Sequence, residues 1–260
     1  MKKINTMRAA GGLLIATLLT TSAVSGTYAK YVSGDSATDT ARVAKFGVVV
    51  AASGSLFSDQ YINAPATSGN LTVKSSATGN NVVAPGTNSG DGLTFSITGT
   101  PEVAVKLAVE FTNANGDAIS ETDDIFLAAK DGLPDMTTGD KTDTFDNADD
   151  YYPVVFTLKK GTTQVATGKL SDIANYLNGT SMNDDFIEPN TDLSTAYGTY
   201  SLTWAWDFDA SGAGTYDKQD TLLGDLAAGT TLTPAVTLTD GTDYNLDCGI
   251  QIKISVVQVD

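Results

Sequence analysis

The chain contains no histidine. That excludes Ser-His-Asp and Cys-His catalysis and every His-ligated zinc site, because no imidazole is present to move a proton or donate to a metal. Any chemistry would fall to carboxylates. Asp and Glu total 31, ample for a glycosidase pair, yet no spacing singles out two of them. The most suggestive acidic constellation is Asp207, Asp209, Asp217 and Asp220, around a loop of small residues at 211–214. Calcium takes about six to eight oxygens, and an EF-hand loop aims alternate residues inward. Counted from Asp209, a ligand position falls on Ala213; counted from Asp207, the closing position falls on Lys218. Neither frame is an EF-hand, which leaves a solvated turn or a calcium site of another kind. The acidic stretch 135–150 carries the same two readings.

Three other features bear on chemistry. Trp204 and Trp206 share one face of a strand, where they either pack in the core or form a stacking platform for sugar rings. The run Gly161 to Leu170 has the flavour of a phosphate loop, but Leu170 stands where a magnesium-binding hydroxyl is needed. Cys248 is the sole cysteine, so no intrachain disulfide can form; it sits in the apolar stretch 246–259 and reads as a small buried hydrophobe. No cofactor is expected, calcium being the one ion the acidic loops could take.

The elements that must position these residues read as β-strands. Candidate strands span 41–51, 71–75, 93–98, 102–112, 152–159, 163–167, 199–209, 231–238 and 249–259, separated by Gly, Asn, Asp and Pro. Leu93, Phe95 and Ile97 share one face; so do Val103, Val105, Leu107, Val109 and Phe111, and again Ile250, Ile252, Ile254 and Val256. A period of two buries one face and solvates the other, the habit of antiparallel sheets. A hairpin should turn at Lys160-Gly161. One helix is expected over 171–178, with Ser171 as its N-cap, and a second over 121–130, with Ser120 and Asp123 as a capping box. The fold class that follows is all-β: an antiparallel β-sandwich of jelly-roll type with one or two short helices.

The N-terminus reads as an export address. Lys2, Lys3 and Arg8 form a basic region, Leu13, Leu14, Ile15, Leu18 and Leu19 an apolar one, and small residues follow, the pattern of a secretory signal peptide. Cleavage fits after Ser25 or after Ala29; the second, between Ala29 and Lys30, is preferred. The domains are then a signal peptide at 1–29, an extension at 30–44 and a β-sandwich at 45–260. Removing 1–29 takes three of the 15 basic residues and none of the 31 acidic ones, leaving a formal charge of −19. Nucleic acid and anionic membrane surfaces are poor partners for such a chain. No hydrophobic tail or sorting signal is expected at the C-terminus, so a secreted, extracellular location without a stable membrane anchor is the expectation.

Thr27-Tyr28-Ala29, the aromatic Tyr31, the polar Ser-Gly-Asp stretch and Ala41-Arg-Val-Ala-Lys-Phe-Gly47 together resemble the N-terminus of TasA/camelysin-type exported matrix proteins of Gram-positive bacteria. That resemblance covers roughly a tenth of the chain. It implies processing by a SipW-type signal peptidase and a jelly-roll subunit of an extracellular fibre, in which the N-terminal segment of one subunit completes a sheet of the next. The physics would be strand addition, with backbone hydrogen bonds giving affinity and alternate side chains filling pockets. Here the donor would be about Lys30–Ala44, with Tyr31, Ala37, Ala41 and Val43 as pocket-filling candidates. The same residues also fit an unstructured leader followed by an ordinary first strand. Some relatives of this type are described as metalloproteases; with no histidine and no H-E-x-x-H, that activity is not carried over. The function expected is a non-enzymatic subunit of a fibre or biofilm matrix, partnered by further copies of itself and by accessory matrix proteins. The alternative is a monomeric cell-surface adhesin or carbohydrate-binding module.

Overall fold

The computed structural model describes residues 42–63, 71–76, 81–134, 144–145, 149–207, 216–232 and 236–259. Two compact units divide at Val43/Ala44. Of the first, only Arg42 and Val43 are described; the strands and helices belong to the second, Ala44–Asp260.

Ten strands of four or more residues are described: β1 Val48–Gly54, β2 Gln60–Asn63, β3 Leu71–Lys74, β4 Leu93–Gly99, β5 Val105–Asn113, β6 Val155–Lys160, β7 Thr163–Gly168, β8 Asp184–Ile187, β9 Gly198–Trp206 and β10 Ile250–Gln258. Three helices join them: α1 Leu170–Leu177, α2 Leu193–Ala196 and α3 Asp217–Ala227. The unit is mostly antiparallel β. The larger sheet runs β1-β4-β9-β6-β7, with Thr87–Asn88 pairing the end of β9; the smaller runs β8-β5-β10.

Alternation explains these strands. In β4, Phe95 and Ile97 are buried while Thr94, Ser96 and Thr98 are not; in β5, Val105, Leu107, Val109 and Phe111 are buried between more exposed neighbours. Strand β9 buries Tyr200, Leu202, Trp204 and Trp206 in the same rhythm. These side chains, with Phe156 and Leu158 of β6 and Leu170, Ile173 and Leu177 of α1, form one core. Burying each large apolar group contributes about 1.5–3 kcal/mol. Backbone crowding fixes glycine where strands enter the larger sheet. At Gly99, with φ +115°, a Cβ would run into the Gly47 carbonyl oxygen, and at Gly92, with φ +66°, into that of Leu202.

The two sheets are edged differently. Between β6 and β7 the register shifts at Leu158/Lys159, so that Val165 is extra on the β7 side. Strand β1, by contrast, pairs with β4 through seven residues without a slip. On the β8 side of β5, where the short ladder lapses, two asparagines replace it. Asn178 accepts from the Phe111 N–H at 2.7 Å and donates to the Phe111 carbonyl at 2.9 Å, and Asn183 accepts from the Val109 N–H at 2.8 Å.

Several expectations are corrected. The helix starts at Leu170, one residue early, because the Asp124 carboxylate, from a distant segment, accepts the Leu170 N–H at 3.0 Å; Ser171 lies inside the first turn and is not the cap. Asp124 is 1% exposed, and burial pushes its pKa up to about 6. The expected helix at 121–130 is a single 3₁₀ turn, Glu121–Asp123, although Ser120 does donate to Asp123 through its N–H. Consecutive burial of Ile125, Phe126 and Leu127 suits the short strand Phe126–Leu127, which pairs with Tyr244–Asn245. The first strand begins at Val48 rather than at 41, and 231–238 holds no strand among its described residues. Helix α3 was not expected from the sequence.

Candidate functional site

Two strands stand out by what they leave uncovered. In β1, Val50 lies directly opposite Ile97 and Ala52 opposite Phe95, so both point to the core side of the larger sheet. Ile97 is wholly buried, yet Val50 is 41% exposed. In β10, Ile252, Ile254 and Val256 lie opposite buried Phe111, Val109 and Leu107, yet are themselves only half-buried. Among the described residues β1 pairs only with β4, and β10 only with β5. Helix α1 packs on β6 and β7 of the larger sheet and on β5 of the smaller. In each sheet the incompletely covered strand is therefore the one on the side remote from α1. Among the described residues each has one edge without a strand partner beside apolar side chains, the chemistry of strand addition.

Phe57 follows β1, and Leu246–Cys248 precede β10. Both line a cleft of about 420 Å³. A smaller cleft of about 140 Å³ shares Val83, Ile125, Ala227 and Leu246 with it and ends on Trp206 and Asp220. Asp220 is held from two sides: the Tyr151 hydroxyl donates to its Oδ1 at 2.6 Å and the Trp206 indole N–H at 3.1 Å. Burial raises its pKa, although the hydrogen bonds from Tyr151 and Trp206 oppose the rise. Burial and the neighbouring carboxylate likewise hold the Tyr151 hydroxyl well above the usual phenol range. Tyr151 stacks on Tyr216 with ring centroids 4.9 Å apart, and Tyr216 is 48% exposed at the surface.

The four aspartates of the calcium reading do not form one loop. Asp217 and Asp220 lie in the first turn of α3, Asp207 and Asp217 are exposed, Asp220 is committed to Tyr151 and Trp206, and Asp209 lies outside the described residues. No three His, Cys, Asp or Glu side chains gather at metal-binding distance among the described residues. Trp204 and Trp206 are 2% and 5% exposed, and Trp204 donates to the Leu56 carbonyl at 2.6 Å. Neither indole presents a face to solvent, so they do not form a sugar platform. Cys248 is half-buried, with its thiol pushed up to about 12 by burial. Of the donor-strand candidates, Tyr31, Ala37 and Ala41 lie outside the described residues, as do Ala29 and Lys30; Val43 is 88% exposed.

No family model matches the chain. Neither curated proteins nor solved structures give a match. What the site can do therefore rests on its own geometry. The Asp220 corner joins Tyr151 and Asp220, residues 69 apart in sequence, and no local pattern announces it. The exposed core side of β1 had a partial signal in its run of small residues after Val50.

Proposed function

We propose that this chain is a secreted structural subunit of an extracellular fibre or biofilm matrix, built as a jelly-roll β-sandwich and assembled by N-terminal strand donation. In that reading the signal at 1–29 is removed by a SipW-type peptidase, and the leader at about 30–44 of one copy adds to an open margin of the next. The observation that carries it is Val50: a core-side valine 41% exposed opposite a fully buried isoleucine. Phe57, after β1, and Leu246–Cys248, before β10, line one cleft, and a strand added beside β1 would cover Val50. Head-to-tail addition does not close on itself, so it yields filaments. The likeness of the leader to TasA/camelysin-type proteins supports the same reading. No catalytic role is proposed.

Deleting Lys30–Thr40 should abolish filaments in negative-stain micrographs while the circular dichroism spectrum is unchanged. On the acceptor side, Val50→Lys should also stop growth while altering stability by no more than about 0.5 kcal/mol, as for other exposed positions. Unchanged filaments in the deletion would refute strand donation.

A further inference from the structure

The smaller cleft is built like a receptor for a cation on an apolar stem. Its walls are mostly apolar, with Val83, Ile125, Leu223 and Leu246 among them, and its one ionisable lining group is Asp220. The carboxylate is pre-oriented: Oδ1 accepts both the Tyr151 hydroxyl and the Trp206 indole N–H. Neither donor bonds Oδ2, and no described Lys or Arg pairs with the group. An oriented carboxyl group with apolar walls around it suits an ammonium whose methylene stem covers those walls.

The cleft's position suggests which cation. It adjoins the larger cleft between the exit of β1 at Phe57 and the approach to β10 at Leu246–Cys248, the two strands whose core-side residues are incompletely covered. A strand added along that margin would bring one of its ends to the clefts. The leader is the segment proposed to add there, and cleavage after Ala29 leaves Lys30 at its tip. That residue would carry an α-ammonium and an ε-ammonium on a chain of formal charge −19 once 1–29 is removed.

We infer that the Asp220 cleft receives the cationic N-terminal residue, Lys30, of a second copy of the chain. This rests on the strand-donation reading and adds to it a polar anchor that fixes the register of the incoming strand. Backbone pairing alone tolerates slippage by two residues, whereas a terminal ammonium seated on the half-buried Asp220 carboxyl permits one register.

The test uses the mature chain and two synthetic peptides of residues 30–44, each labelled at its C-terminal end and followed by fluorescence anisotropy. One has a free amino terminus; the other is Nα-acetylated and carries Lys30→Gln. The free-amine peptide should bind at least about tenfold more tightly, and the advantage should shrink at high salt as screening predicts. In Asp220→Asn the two peptides should bind alike, at the affinity of the acetylated one. Equal binding of both peptides to the unaltered protein overturns the Asp220 assignment and leaves strand donation standing. An advantage that survives Asp220→Asn also overturns it. Failure of both peptides to bind overturns this inference and the donation reading together. The peptide comparison does not depend on how well the variant folds.

Discussion

Asp124 makes the sharpest test of the structure's electrostatics. It is 1% exposed, takes the first N–H of α1 at 3.0 Å, and is pushed from its ordinary 3.8 to about 6, chiefly by desolvation. Because the folded pKa lies above the unfolded one, the folded state keeps a proton that the unfolded chain loses between those pH values. Stability from this group is therefore greatest below pH 3.8 and falls as pH rises through 6. At about 1.36 kcal/mol per pH unit, the difference amounts to about 3 kcal/mol. Asn is the neutral isostere and keeps an oxygen for the Leu170 N–H. Asp124→Asn should thus be more stable than the parent at pH 7, by about 1–3 kcal/mol once its amide must find a partner. The advantage should fall by about 2.5 kcal/mol between pH 7 and pH 4, where the parent carboxyl is mostly protonated, and so vanish or reverse there. Urea unfolding of both proteins at pH 4, 5, 6 and 7, followed by tryptophan emission, measures the gap directly. Other carboxylates cancel in the comparison. A gap that is flat with pH, or a variant less stable at pH 7, would refute the reasoning.

Two further outcomes follow from the core. Trp204→Ala removes a buried indole in contact with Phe57 and Tyr61 and strands the Leu56 carbonyl; it should cost about 3–5 kcal/mol in urea unfolding, and a loss under 1 kcal/mol would contradict the packing. Cys248, with its thiol raised to about 12, should be alkylated by iodoacetamide at pH 8 at least about a hundredfold more slowly in the folded protein than in urea; comparable rates by mass spectrometry would show that it is not shielded.

Much of the strand framework was legible because it is written in period-two alternation. Leu93, Phe95 and Ile97 announced β4, the odd residues from Val105 to Phe111 announced β5, and Lys160-Gly161 announced the β6–β7 turn. What could not be read depends on tertiary partners. Ser171 is a good local cap, but a carboxylate 46 residues upstream takes the Leu170 N–H and starts α1 there. Helix α3 has only Leu222 and Leu223 fully buried in a stretch dense with Asp, Lys and Gln, so its periodicity is faint and its first turn mimicked an ion-binding loop. The Asp220 corner was invisible for the same reason: Tyr151, Trp206 and Asp220 meet only after the sheets and α3 are in place. The leader's role was inferred from its own residues, and nearly all of them lie outside the described ones.

The slip at Leu158/Lys159 has a consequence for shape on a larger scale. A bulge bends its strand and strengthens its twist, which spoils a margin as a template for another chain. The larger sheet thus has one regular border, at β1, and one irregular border, at β7. Under the proposed strand donation, this sheet would take an incoming strand at β1 and not at β7. Deleting Val165 should then open a second place for an added strand on the larger sheet, read as a second equivalent of leader peptide bound in a titration.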